Sequence, residues 1–196
     1  MTGFGREALR GLYALDRPEV HWRHDVDYDP ACAVLMAELE RDCHIRSTFY
    51  VMARGPYNPF SLELRKILYG ILACGHSLGL HVDLGLPRDA ETPAWLLSRA
   101  ALHDFRLLVS EYPVKRSVTF HAPPRSVYWR DVPGFEHAAH GGFRDRLVSD
   151  SRGVWHGDPV ELIKGGGSVL VSTHPEWHFW PVETADEWRA VERVKP

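Results

Sequence analysis

Val20-His21-Trp22-Arg23-His24-Asp25-Val26-Asp27, continued by Tyr28-Asp29-Pro30, reads as a strand that stops at carboxylates and turns straight into a helix. Asp29 before Pro30 combines a helix N-cap with a proline at the first helical position, where a missing N–H costs nothing. In extended backbone, residues i and i+2 face the same side, so Asp25 and Asp27 project together. Two carboxylates this close do not both stay ionised cheaply unless a cation or a partner sits between them. Capping does not explain the pair, because Asp29 already supplies the cap.

Working outward, the same strand-then-helix unit recurs. A helix is expected from Pro30 to about Cys43, a strand over Ser47–Met52, and a second helix from about Ser61 to Ala73, with Gly75 as its C′ glycine. A third strand, Leu78–Val82, ends beside His81 and Asp83. Thr92-Pro93 reads as a cap before a long helix, and Ser117–Phe120 as a fourth strand ending at His121. A loop rich in Pro, Gly and His then runs to about Gly142. Beyond it come a short strand over Leu147–Ser149, a short helix after Asp158-Pro159, and a strand over Ser168–Thr173 ending at His174. Thr184-Ala185-Asp186-Glu187 has the spacing of a capping box for a last helix. Strand and helix in alternation predict an α/β fold with a parallel sheet or barrel in one domain, residues 1–196. In a parallel barrel every strand ends at one face, so Asp25, Asp27, His81, His121 and His174 are expected to converge there.

Composition narrows the class of function. The 196 residues carry a net charge of −3, with 44% hydrophobic and 25% charged residues, the balance of an ordinary folded domain. That surface lacks the basic footprint of nucleic-acid or anionic-membrane binding. No apolar run approaches the roughly 18 residues that span a bilayer. The first ten residues hold no apolar signal core, and a cytoplasmic location is expected. Cys32, Cys43 and Cys74 show no CxxC spacing and fit reduced thiols, not a zinc cage. Histidine, at twelve residues, is the enriched type. Of these, His76, near a helix terminus, reads as structural.

Arg23-His24-Asp25-Val26-Asp27, Arg46-Ser47-Thr48-Phe49-Tyr50 and Gly75-His76-Ser77-Leu78-Gly79-Leu80-His81 together resemble the polysaccharide deacetylases, carbohydrate esterase family 4 with its NodB-homology domain. The order of motifs is similar from about residue 20 to 180. The resemblance implies a distorted (β/α) barrel of the NodB-homology type and a divalent metal, usually zinc. It gives Asp25 the role of general base, Asp27 and His81 those of metal ligands, and His174, in Thr173-His174-Pro175, that of general acid. Gly85 stands where such proteins carry a second metal histidine, and His121, in Phe120-His121-Ala122-Pro123, stands in place of their motif arginine. Ser149-Asp150-Ser151-Arg152-Gly153 adds a further signature, and the chain resembles a divergent branch of the family.

The expected activity is removal of an acetyl or formyl group from the amide nitrogen of a small substrate, such as an amino sugar, a nucleotide sugar or a biosynthetic intermediate. The alternatives are hydrolysis of a ring amide, a metal-dependent oxidation, or a non-catalytic binding module. Asp25 would take a proton from water and His174 would protonate the leaving amine. Asp83 or Asp150 would hold a histidine in its working tautomer, and Arg152 would partner Asp25. His121 is expected to be the third metal ligand, since catalytic zinc normally has three protein ligands. Its rival role is a hydrogen bond to Asp25. Trp177, with Tyr50, Tyr57, Trp155 and Trp180, is a candidate for lining a substrate pocket.

Overall fold

The computed structural model describes residues 4–128, 130–137, 143 and 146–180. The helix expected from Thr184 lies outside these residues, as does part of the loop to Gly142.

Chain order runs α1 (Arg6–Tyr13), β1 (Val20–Asp25), α2 (Pro30–Asp42), β2 (Ser47–Met52), α3 (Leu62–Ala73), β3 (Ser77–Asp83) and α4 (Ala94–Val109). It continues with β4 (Val114–His121), β5 (Glu136–His137), β6 (Leu147–Ser149), α5 (Pro159–Lys164), β7 (Val169–Thr173) and α6 (Glu176–Phe179). The caps follow the local chemistry. Asp29 accepts from the Ala31 N–H (2.9 Å) and Ser61 from the Leu64 N–H (3.2 Å). Asp158 accepts from both Val160 and Glu161. Thr92 is the exception: α4 begins after Pro93 without a side-chain cap, and the Thr92 hydroxyl donates back to the Ala90 carbonyl. Gly75 has φ +88°, and a Cβ there would strike the Arg46 guanidinium, so the C′ position requires glycine.

All strand pairs are parallel, in the order β5-β4-β3-β2-β1-β7-β6. Consecutive strands β1 to β5 are neighbours, and β1 also pairs β7. That is a sheet wound one way round, without the reversal of strand order that marks a doubly wound sheet. Among the described residues no ladder joins β5 to β6.

The two faces of the sheet differ in chemistry. Phe49, Val51, Leu78, Leu80, Val82, Val118 and Val171 are buried on one face and form the apolar core with Met36, Leu68, Ile71 and Leu97 of the helices. The other face carries Arg23, Asp25, Tyr50, His81, Ser117, Thr119 and His121, in register across β1 to β4. Glycine at 79 is dictated by this polar face. A Cβ there would lie 2.5 Å from the Tyr50 ring, whose hydroxyl reaches across to Ser117 (2.7 Å).

The apolar face holds one sealed polar cluster. Glu40 of α2, fully buried, pairs with His24 Nε2 (2.9 Å) and accepts from the Ser47 hydroxyl (2.6 Å). His24 Nδ1 meets Thr173 (2.6 Å). His76 Nε2 donates to the Ala37 carbonyl (3.0 Å), which leaves Nδ1 to accept from the Ser47 N–H (3.3 Å). His76 is therefore the structural residue its position suggests. Burial holds its pKa below the ordinary value, against the pull of Glu40.

Candidate metal centre

Strand ends position the candidate residues, as the parallel topology requires. Asp25 closes β1, and Asp27 stands two residues beyond the shorter-than-expected strand. His81 lies near the end of β3, and His121 closes β4. His174 directly follows β7, and Asp150 follows β6. Ala122 adopts φ +37°, rarely taken by L residues, where the chain turns away behind His121.

Asp27 is the hub. Its Oδ1 lies 3.0 Å from His81 Nε2 and 3.2 Å from His121 Nδ1, and its Oδ2 lies 3.8 Å from His174 Nε2. One ligand atom each from Asp27, His81 and His121 lies within 4.8 Å of the others, a grouping that can hold a metal ion. Tautomer logic supports this. Thr119 Oγ1 donates its one proton to Asp25 Oδ1 (3.3 Å), so its 2.5 Å contact with His81 Nδ1 makes that nitrogen the donor. The neutral imidazole then presents its Nε2 lone pair to Asp27 Oδ1. Two acceptors at 3.0 Å need a proton or a cation between them. One carboxylate and two imidazoles form a donor set that suits zinc and other borderline divalent ions.

Burial acts to raise the Asp27 carboxyl, but the hydrogen bond from His121 and the charge of His174 outweigh it and hold the group well below its ordinary range. Burial acts to lower His121, and the hydrogen bond and charge of Asp27 reverse this, so its pKa is raised.

Two flanking groups complete the site. Arg23, two residues before Asp25 on the same face, donates from Nη2 to Asp25 Oδ2 (2.7 Å). Burial opposes the Asp25 charge, but the charges of Arg23 and His174 outweigh it, and the carboxyl stays below its usual range. On the other side, His174 Nδ1 lies 2.6 Å from Asp150 Oδ1, and the His174 N–H also donates to that carboxylate. Burial works to lower the His174 pKa, and the charge of Asp150 overrides it, so the value is pushed up to about 10. Asp150 Oδ2 in turn meets His178 Nε2 (2.9 Å). His178 Nδ1 accepts from the Gly5 N–H (3.4 Å), so Nε2 is the protonated nitrogen and the donor to Asp150.

Several expectations change. Arg152 is not the partner of Asp25: it lies exposed in the 3₁₀ turn Ser151–Gly153 with φ +63°, and Arg23 holds the carboxylate. Asp150, not Asp83, is bonded to His174; exposed Asp83 turns to the Gly85 N–H (2.8 Å). His121 faces Asp27, and the Asp25 oxygens are met by Arg23 and Thr119. Tyr50 and Tyr57 are built into the interior, Tyr57 donating to the Val26 carbonyl (2.8 Å). Trp177 is buried with its ring 6.5 Å from that of His174, and Gly153 lies against it. Trp180 donates to Asp29 (2.7 Å). Arg23, Thr119, Glu176 and His178 are site residues that the motifs did not single out.

No family model matches the chain, and a search of curated proteins finds no match. Among the described residues, no helix is long and apolar enough to cross a membrane.

Proposed function

We propose that this protein is a metal-dependent hydrolase of non-peptide C–N bonds, removing an acyl group from an amide nitrogen of a small substrate, on a (β/α) barrel of the NodB-homology type. The observation that carries the reading is the Asp27, His81 and His121 group flanked by a carboxylate on one side and an imidazole on the other, each held by its own partner. A divalent ion bound there, zinc by its donor set, supplies a water of lowered pKa and polarises a carbonyl oxygen.

The chain's own residues do the rest. Asp25, fixed by Arg23 Nη2 and the Thr119 hydroxyl, is an ionised acceptor for the proton of an attacking water. His174, its Nδ1 committed to Asp150, presents Nε2 toward Asp27 and hence toward the reacting bond. As an imidazolium it gives its Nε2 proton to the departing nitrogen, which is too basic to leave as an anion. Water loses the proton that Asp25 gains, the C–N bond breaks, and acid and amine result. The one-way strand order and the polar inner face support the barrel assignment. A carboxylate with two histidines also suits oxidative iron chemistry, but that reading leaves the separately anchored base and acid without work.

The test is to incubate metal-loaded protein with a panel of N-acetylated and N-formylated amines and follow product mass. Loss of an acyl group, dependent on metal, supports the proposal. Full metal occupancy with no acyl loss across the panel contradicts it.

A further inference from the structure

Glu176 takes no part in the chemistry described above, yet it is buried to 1% exposure and stands close to the metal ligand Asp27. Its Oε1 accepts from three successive backbone N–H groups, those of Asp27 (3.1 Å), Tyr28 (2.7 Å) and Asp29 (2.9 Å). Those donors belong to the linker between β1 and α2, where neither a ladder nor an intrahelical bond would satisfy them. Four residues on, one helical turn further along the same segment, Trp180 Nε1 donates to Asp29 Oδ2 (2.7 Å). Asp29 also caps α2 through its other oxygen. The segment after β7 thus grips the Asp27–Asp29 linker at both ends.

We propose that Glu176 is the positioning residue for the metal centre: its carboxylate fixes the backbone of 27–29 so that the Asp27 side chain stands between His81 and His121. This rests on the metal-centre reading. A ligand two residues past the end of β1 has backbone freedom that must be lost on binding a cation; a carboxylate collecting three N–H groups removes it beforehand. Glu176 is held in place by these hydrogen bonds through Oε1 alone. Burial and the nearby Asp27 charge hold its carboxyl above the usual range, and Oε2 is buried without a hydrogen-bond partner. A second anion beside Asp27 is costly, and three aligned backbone donors offset that cost.

The experiment measures Zn²⁺ affinity of the full chain by competition with a chromophoric chelator, with no substrate involved. Glu176→Ala removes the acceptor and should weaken Zn²⁺ binding roughly 10–100-fold, the usual cost of losing an outer partner of a metal ligand. Glu176→Gln keeps an oxygen at the same place without the charge and should restore most of that loss. Should Glu176→Ala fail to fold, Trp180→Phe carries the test: it releases the other end of the grip and should weaken Zn²⁺ roughly threefold, about one hydrogen bond. Wild-type affinity in Glu176→Ala, or in Trp180→Phe where it stands alone, overturns the proposal. So does equal weakening in the Ala and Gln variants, which would make charge and not positioning the cause. A wild-type chain that binds no Zn²⁺ overturns the metal centre itself, a different result from any of these.

Discussion

Two buried histidine–carboxylate clusters sit on opposite faces of the same strand, and they are built to opposite ends. Around Glu40 every interaction closes on the protein: His24, Ser47, His76, Thr173 and the Ala37 carbonyl are hydrogen-bonded within the cluster. Around Asp27, His81 and His121 aim nitrogens at a single carboxylate oxygen, with His174 close to the other, and the His81 tautomer turns a lone pair toward it. The first cluster is sealed inside the protein and holds α2 to the sheet. The second converges on a point that a cation fits. Residue types are alike in both; what the nitrogens face separates a strut from a site.

The largest effect expected on the site side comes from Asp25→Asn, which keeps the shape and the Thr119 contact but accepts no proton. Turnover should fall roughly 10²–10⁴-fold while metal content stays at wild-type level. Loss of the metal in this variant would mean that the two aspartates have exchanged roles.

On the strut side, Glu40→Ala leaves His24 Nε2 buried without its partner and takes the carboxylate acceptor from the Ser47 hydroxyl, which keeps only His76 Nδ1 (3.0 Å). Unfolding by urea should show a loss of about 3–5 kcal/mol, the usual cost of breaking a buried pair, with metal stoichiometry unchanged in the folded protein. A variant that keeps its stability but loses metal would erase the distinction between the clusters.

A smaller effect should follow His178→Ala, which deprives Asp150 of its second donor. Turnover should drop roughly tenfold, the lower end for loss of an outer partner, and Zn²⁺ affinity should not move, because Asp150 touches His174 and not the three ligands. A fall in affinity equal to the fall in turnover would place His178 with the metal instead.

The mildest test is acid. His76 is neutral in the fold, with its pKa below the 6.5 of an unfolded chain. The unfolded state therefore binds this proton more readily. Its contribution to stability is complete above pH 6.5 and is lost as pH falls below that value, at up to about 1.4 kcal/mol per pH unit until the folded pKa is reached. Urea midpoints of the wild type and of His76→Gln, measured from pH 7.5 to 5, should differ by this slope, because the opposing contribution of Glu176 is common to both. Parallel profiles would show that His76 is already charged in the fold.

The sequence carried the framework where local chemistry decides it. Asp29-Pro30, Ser61 and Asp158-Pro159 mark helix starts through their own backbone bonds, and the strands between them follow. The two-residue period also holds a signal for the partners: Arg23 shares a face with Asp25, and Thr119 with His121. Arg152, beyond a turn, has no such relation to Asp25. Glu176 and His178 were out of reach for another reason. They sit on a four-residue helix, too short for a periodic pattern, and contact residues about 150 and 28 positions away. Such pairings depend on which strand ends the sheet brings together, and no local rule reports that. The same holds for two-residue β5, which exists only by pairing with β4, and for α1, whose Leu9 and Leu12 declare a buried side only once the core is assembled.

Elemental analysis of purified wild-type chain beside His121→Ala tests the central claim most directly. His121 is the third ligand we propose, and Asp27 with His81 alone would leave too few donors for a tight catalytic site. The expected result is one divalent metal per wild-type chain and a content well below stoichiometric in the variant. Full occupancy in His121→Ala, or a wild-type chain that stays free of metal after loading, would contradict the account.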